Sequence, residues 1–328
     1  MYPFTYTKSK TSKEAIAAMT SNSNAKFIGG GTNLLDLMKM NIEMPQQLID
    51  INSLELKKIE TLSNGNIKIG ALVRNSDLAY DETIMQKFPL LSKALLAGAS
   101  PQLRNMATTG GNILQRTRCS YFYDTAMPCN KREPGSGCSA IKGYNRMHAI
   151  LGTSDKCIAT HPSDMCVALA ALDAIVHVES ANGERTINFL DFHLLPGDTP
   201  EKENVLQQGE LITSIEIPAL PFASNSTYIK VRDRHSYEFA LTSAAVALDI
   251  SNGTINNARI ALGGVGTKPW RSKEAEQSLI NKKVSIDSFK DSADVALKHA
   301  KTHQYNSFKP ELAKRTLISA LQSIGGIA

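Results

Sequence analysis

The chain has 328 residues, a formal net charge of +5 from 36 basic and 31 acidic side chains, and a composition that is 42% hydrophobic and 20% charged. That length exceeds one ordinary core and suggests about two domains. No apolar run approaches the ~18 residues of a membrane span, and no block of like charge indicates a nucleic-acid or membrane partner.

The first segment, MYPFTYTKSKTSKEAIAAM, places Lys8, Lys10 and Lys13 after its aromatics and builds no continuous apolar stretch. No secretory leader is read there, so the expected location is the cytoplasm. TSKEAIAAM predicts a helix, with Thr11 and Glu14 spaced as a capping box. AKFIG predicts a strand, LLDLMKM a helix with one apolar face, and QQLIDI a further strand, which together make a small α/β unit.

Between that first strand and helix lies KFIGGGTNLL. Gly29, Gly30 and Gly31 have no Cβ, so the backbone can turn sharply and bring N–H groups close to a ligand. Because a helix N-terminus follows at once, the ligand chemistry indicated is an anion, first of all a phosphate. A plain tight turn is the alternative.

LKKIETLSNGNIKIGALV predicts a hairpin turning at Asn64-Gly65, and helices are expected at SDLAYDETIMQKF and LLSKALLAG. Residues 100–162 are rich in Gly, Pro, Cys and Arg and weakly periodic, as long functional loops are. Within them ATTGGNILQ supplies a second glycine turn with Thr108, Thr109, Gly111, Asn112 and Gln115. Two such turns suggest the two halves of a diphosphate or the two ends of a dinucleotide; two unrelated turns are the alternative. Neither is Gly-x-Gly-x-x-Gly and no Walker-type Gly-Lys-Ser occurs, so a doubly wound NAD site and phosphoryl transfer drop out.

All five cysteines fall between Cys119 and Cys166, spaced C-x9-C-x8-C-x18-C-x8-C. This is not a framework of disulfides stapling a whole fold, nor a zinc ribbon, nor a ferredoxin run. A local metal or redox site and free core cysteines both fit. Cys166 sits in the apolar helix DMCVALAALDAIV and is assigned to the core, leaving Cys119, Cys129, Cys138 and Cys157 as a quartet. Arg116, Arg118, Lys131 and Arg132 lie among them and are expected to lower thiol pKa values. Tyr121, Phe122 and Tyr123 are candidates for stacking or core. His148, His161 and His235 have no partner at metal-ligand spacing, and no catalytic triad or carboxylate pair is found.

Strand patterns return at DAIVHVESANGERTINFLDF, with a turn at Asn182-Gly183, and at ELITSIEIP. IPALPFASNS predicts a linker with a boundary near Pro221. TYIKVRD, SAAVALDI and ARIALGGVG then predict strands, followed by helices at SKEAEQSLI, DSFKDSADVALKHAKT and ELAKRTLISALQSI, the order of a separate α+β domain.

In the same order along the chain, KFIGGGTNLLDLMK, PQLRNMATTGGNILQ, THPSDMCVAL, GELITSIEIP, YIKVRDR and ALGGVGTKPWRSKEAE resemble blocks of the FAD-binding subunits of the molybdenum hydroxylases, the xanthine dehydrogenase and aldehyde oxidoreductase family. The resemblance implies an α+β fold: a two-part FAD-binding domain of the PCMH/vanillyl-alcohol-oxidase type over residues 1–221, divided as 1–57 and 58–221, then a smaller α+β domain of the CO dehydrogenase flavoprotein C-terminal type over 222–328. RTRCSYFYDTAMPCNKREPGSGC is similar to the branch of periplasmic bacterial aldehyde oxidoreductases whose flavin chain also carries a 4Fe-4S cluster. By that likeness Cys119, Cys129, Cys138 and Cys157, on a loop over about residues 116–157, are the cluster ligands.

Carried over residue by residue, Lys26, Phe27, Ile28, Gly29, Gly30, Gly31, Thr32, Asn33 and Leu34 would hold the FAD pyrophosphate. Thr108, Thr109, Gly111, Asn112 and Gln115 would form a second wall. Asp164 would meet a ribose or adenine-side hydroxyl, Ile212 would pack on the adenine, and Lys230 would reach the flavin ring. Read without the family, Asp164 is a helix N-terminal residue beside Ser163, and Lys230 an exposed strand lysine. The implied function is electron transfer within a complex that also contains a 2Fe-2S subunit and a molybdenum-cofactor subunit, from aldehyde oxidation to an external acceptor. A stand-alone flavoprotein with its own substrate site and a zinc-bound interaction module are the rival readings. The resemblance also allows export to the periplasm on a partner that carries a leader.

Overall fold

A computed structural model describes residues 1–327. The first 50 residues form a three-stranded parallel sheet in the order β1 (Thr5–Lys8), β3 (Gln47–Asp50), β2 (Ala25–Ile28). Helix Ser12–Ser21 connects β1 to β2, and the Thr11 hydroxyl caps it by accepting from Glu14 N at 3.2 Å. The Glu14 carboxylate reaches back to Lys10 N at 2.8 Å, one residue earlier than an ideal capping box requires. β1 escapes prediction because its four residues are all exposed and show no alternation.

A five-stranded antiparallel sheet follows, in the order β4 (Ile59–Thr61), β5 (Ile67–Gly70), β8 (Leu211–Ile217), β6 (Ile175–Ser180), β7 (Gly183–Asn188). Both expected hairpins are present, with Gly65 and Gly183 in positive-φ conformations at their turns. The expected helix over SDLAYDETIMQKF is two, Asn75–Ala79 and Glu82–Lys87, because Asp81 turns its carboxylate onto Ile84 N at 3.0 Å and starts a new helix.

The third sheet is antiparallel, in the order β12 (Trp270–Arg271), β11 (Thr254–Gly263), β10 (Thr242–Ser251), β9 (Ser226–Val231). Along β10 the side chains alternate between two cores. Ala245 and Ala247 join the cluster containing helices Pro89–Ala97 and Asp164–Ala171, whereas Ala244, Val246 and Leu248 join the cluster of helices Lys273–Leu279, Ile286–Leu297 and Lys309–Gly325. A strand covered on both faces reads as an unbroken apolar run, which is why SAAVALDI lacks polar alternation. This sheet therefore packs against helices of the N-terminal region and carries its own residues to a shared cavity.

Candidate functional site

A cavity of about 1740 Å³ opens between the two glycine turns, the start of helix Asp164–Ala171 and the inner end of β9. It exceeds the ~300–1,000 Å³ of ordinary small-ligand sites and has room for a dinucleotide. Lys26 through Leu37 form one wall, and Thr108, Gly111, Asn112 and residues 114–120 face them.

The first turn is an anion nest. Among the described residues, the main-chain N–H groups of Gly30, Gly31, Thr32, Asn33 and Leu34 donate to no protein acceptor. Five adjacent bare donors at the start of helix Leu34–Lys39 match a diphosphate. Asn33 adds a buried Nδ2 without a partner, while its Oδ1 accepts from Arg116 N at 3.0 Å. Gly31 takes φ +70°. Gly30 has a different reason to lack a side chain: a Cβ there would collide with the Met106 carbonyl of the second turn.

The second turn does not repeat this chemistry. Thr109 N and Gly110 N donate to Val73 O and Ala71 O, and Gly111 N to the Thr108 hydroxyl, so most of its backbone donors are already spent. Thr109 does not line the cavity; its hydroxyl donates to Val73 O at 3.0 Å and anchors the turn to the sheet. Asn112 accepts from Ser163 Oγ at 2.5 Å and from Gln115 Nε2 at 3.0 Å. This turn is a rigid wall rather than half of a phosphate cradle.

Asp164 and Lys230 lie together. Lys230 Nζ is 2.8 Å from Asp164 Oδ2 and 3.1 Å from Ala97 O, and the Tyr228 hydroxyl donates to Asp164 Oδ1 at 2.5 Å. Alternation along β9 puts Tyr228 and Lys230 on one face. Lys230 is thus a buried lysine, not an exposed one, and it shares one end of the cavity with Asp164 instead of standing at the opposite end. Burial and the adjacent Asp164 carboxylate push the Tyr228 phenol well above its usual pKa, which keeps it a donor. Ile212 departs from expectation too: it pairs with Val178 in the sheet, is buried in the main core and does not reach the cavity.

All five cysteines are free. Cys129 and Cys138 are joined by a β-bridge, and Cys119 packs with Leu37, Phe122 and Cys129. Burial pushes the Cys119 thiol up to about 12, with Cys129 and Cys157 adding to the effect, and the Cys157 thiol up to about 11, with Cys138 and Cys129 opposing its ionisation. The four thiols are therefore electrostatic neighbours, and burial keeps Cys119 and Cys157 neutral until a cation supplies the missing charge. Of the four, Cys119 lines the large cavity. Cys166, wholly buried and pushed up to about 12 by burial, is a core residue, as expected.

Lys131 lowers the Cys157 thiol as expected, but burial outweighs it, and the loop cations are engaged largely with other groups. Arg116 meets Glu43 at 2.6 Å and Glu203 at 2.7 Å, and Lys131 meets Glu203 at 2.8 Å. Arg132 donates to the carbonyls of Tyr121 and Phe122 at 2.9 and 2.8 Å, stapling the loop. Phe122 fills the core, Tyr121 accepts from Tyr144 N, and Tyr123 donates to Asp36 at 3.0 Å on the cavity wall.

Two histidine arrangements escape linear spacing. His148 Nε2 lies 3.1 Å from Cys119 Sγ, although 29 residues separate them. His161, Cys166 and His193 bring ligand atoms within 4.8 Å of one another. The trio is better matched to a histidine pair than to a metal. His193 Nε2 donates to Ile113 O at 2.8 Å, leaving Nδ1 a lone pair; His161 Nδ1 accepts from Ser163 N at 3.4 Å, leaving Nε2 an N–H. The two unpartnered nitrogens are an acceptor and a donor.

The nest, the cavity and the unpartnered Asn33 amide fit a flavin dinucleotide, and the comparisons with known proteins agree. Residues 2–220 match the family described as FAD binding domain in molybdopterin dehydrogenase, and residues 227–324 the CO dehydrogenase flavoprotein C-terminal domain. The chain belongs to the FAD-binding subunits of the molybdenum hydroxylases. This flavin subunit is 50% identical, over 98% of both chains, to the aldehyde oxidoreductase FAD-binding subunit PaoB of Escherichia coli K12. It is 31% identical to the glyceraldehyde dehydrogenase medium chain of Sulfolobus acidocaldarius, covering 89% of this chain and 87% of that one. The carbon monoxide dehydrogenase of Hydrogenophaga pseudoflava contains a chain that superposes with a TM-score of 0.77 at 26% identity, covering 99% of both. The α+β architecture of two family domains in series is thereby shown.

Proposed function

We propose that this flavin subunit carries electrons within a multi-subunit molybdenum-dependent aldehyde oxidoreductase, with FAD in the large cavity and a 4Fe-4S cluster on Cys119, Cys129, Cys138 and Cys157. The observation that carries this reading is the meeting of two features on one cavity: five unpaired N–H groups on one wall, and a thiol of a four-cysteine group on another. Bound FAD supplies a relay between one-electron and two-electron carriers.

The nest from Gly30 to Leu34 would hold the diphosphate, Asn33 would donate a further hydrogen bond, and Thr108 to Gln115 would close the opposite wall. Lys230, oriented by Asp164 and Tyr228, would place a cation at one end of the bound cofactor. The aldehyde chemistry would belong to a molybdenum-cofactor subunit, and a 2Fe-2S subunit would deliver its electrons. The names of the Escherichia coli and Sulfolobus relatives, both aldehyde-oxidising, support this substrate class.

The test is metal and flavin analysis of the full chain purified without oxygen. One flavin and about four irons are expected per chain, with no aldehyde turnover. Cys129→Ser should remove most of the iron and leave most of the flavin. Wild-type protein that holds flavin but no iron would refute the cluster while leaving the flavin assignment standing.

A further inference from the structure

Nothing in the fold obliges a histidine to touch a cluster thiol, yet His148 is held against Cys119 from behind by another part of the molecule. The fully buried Lys309, at the start of helix Lys309–Gly325, donates to the carbonyls of His148 at 2.9 Å, Met147 at 3.3 Å and Gly264 at 2.5 Å. Asn306 Nδ2 also reaches His148 O at 3.4 Å, and Asn145 Oδ1 accepts from Tyr305 N at 3.0 Å. A buried lysine is costly, and here it ties the backbone of His148 and the adjacent Met147 to Gly264. The ring has little room to turn away, being packed near Tyr121 with a centroid separation of 6.2 Å.

A metal-bound thiolate is an acceptor only, so the imidazole nitrogen facing it must be the one carrying hydrogen. Among the described residues, His148 is the side chain whose ring nitrogen comes within hydrogen-bond distance of a thiol of the quartet. The contact is made at Cys119, the quartet member that also lines the flavin cavity.

We propose that His148 is a positioning residue that donates its Nε2–H to the Cys119 thiolate and so raises the reduction potential of the cluster at the ligand facing the flavin. The inference rests on the cluster assignment made above. A hydrogen bond to sulfur stabilises the more negative, reduced cluster over the oxidised one. One electron enters and no proton moves; the hydrogen stays on nitrogen.

The test is a potentiometric titration of the whole complex followed by low-temperature EPR, comparing wild type, His148→Phe and His148→Gln. His148→Phe should lower the 4Fe-4S midpoint by the equivalent of about tenfold in the reduction equilibrium, about 59 mV for one electron. His148→Gln, which keeps an N–H donor, should lie closer to wild type, and the 2Fe-2S midpoints should not move. An unchanged midpoint in His148→Phe, or an equal shift in both variants, would overturn the hydrogen bond. If His148→Phe fails to load its cluster, pulsed EPR of wild type labelled with ¹⁵N-histidine decides: a histidine nitrogen coupled to the reduced cluster is expected, and none would refute the contact. A wild-type complex with no 4Fe-4S signal would instead sink the cluster assignment itself.

Discussion

The glycine turn and the cysteine loop face the same cavity but are built on opposite principles. The turn from Gly29 to Leu34 does its work with main-chain N–H groups, and its side chains are absent or small. The cysteine loop does its work with side chains, and several of its charged groups are bound by residues far away in sequence: Arg116 by Glu43 and Glu203, Lys131 by Glu203 and Arg146 by Asp233; its backbone at His148 is held by Lys309. A backbone site needs only a short stretch of permissive residues, whereas a side-chain site needs a scaffold to hold it. Each site should therefore fail in its own place.

Gly30→Val should give the largest effect. Its side chain would meet the Met106 carbonyl, forcing the two turns apart, so flavin content should fall below about a tenth of wild type, with about 3 kcal/mol of stability lost. Iron should be retained. Loss of both cofactors, measured by absorbance and iron assay, would show that turn and loop are one unit and break the contrast.

Lys309→Met comes next and attacks the other side. It leaves three buried carbonyls without their donor, and about 2–3 kcal/mol should be lost, with iron affected before flavin. Burial pushes the Lys309 ammonium from 10.5 down to about 7. Between those values the unfolded chain binds more protons than the folded one, so wild-type stability should rise as pH rises through that window. Thermal unfolding of the variant should show a smaller rise.

Glu203→Gln should have the smallest effect, about 1–2 kcal/mol, because Arg116 keeps Glu43 and Lys131 keeps the Pro200 carbonyl. Burial acts to raise the Glu203 carboxyl, but Lys131 and Arg116 outweigh it and hold it below the usual 4.5. Its contribution is present above pH 4.5 and is lost as pH falls through the depressed value. Acid unfolding should therefore separate wild type from variant at neutral pH and bring them together in strong acid; a constant gap would mean the carboxylate charge is not what ties the loop down.

Local signals carried most of the elements. The Thr11 cap, the hairpins at Gly65 and Gly183, and the helices of the last 60 residues stand where periodicity and turn chemistry put them. The break at Asp81 was visible in principle, since an aspartate three residues before an isoleucine within a helical pattern is also an N-cap signal. The two glycine turns are alike in composition, but only the first has a run of free donors, because Val73 and Ala71 sit within reach of the other. Family likeness places Ile212 and Thr109 at the cofactor, but their strand and turn neighbours draw them inward.

The amino-acid order alone determined the glycine turn ahead of a helix and the apolar neighbours that set Cys166 apart from the other four cysteines, since each depends on residue type and on neighbours a few positions away. Tertiary structure decided which end of the cavity holds Asp164 with Lys230, which thiol faces the cavity, and that a histidine and a buried lysine stand behind it. Those contacts join residues 29 to 161 positions apart, and their energies depend on distances that no local pattern encodes.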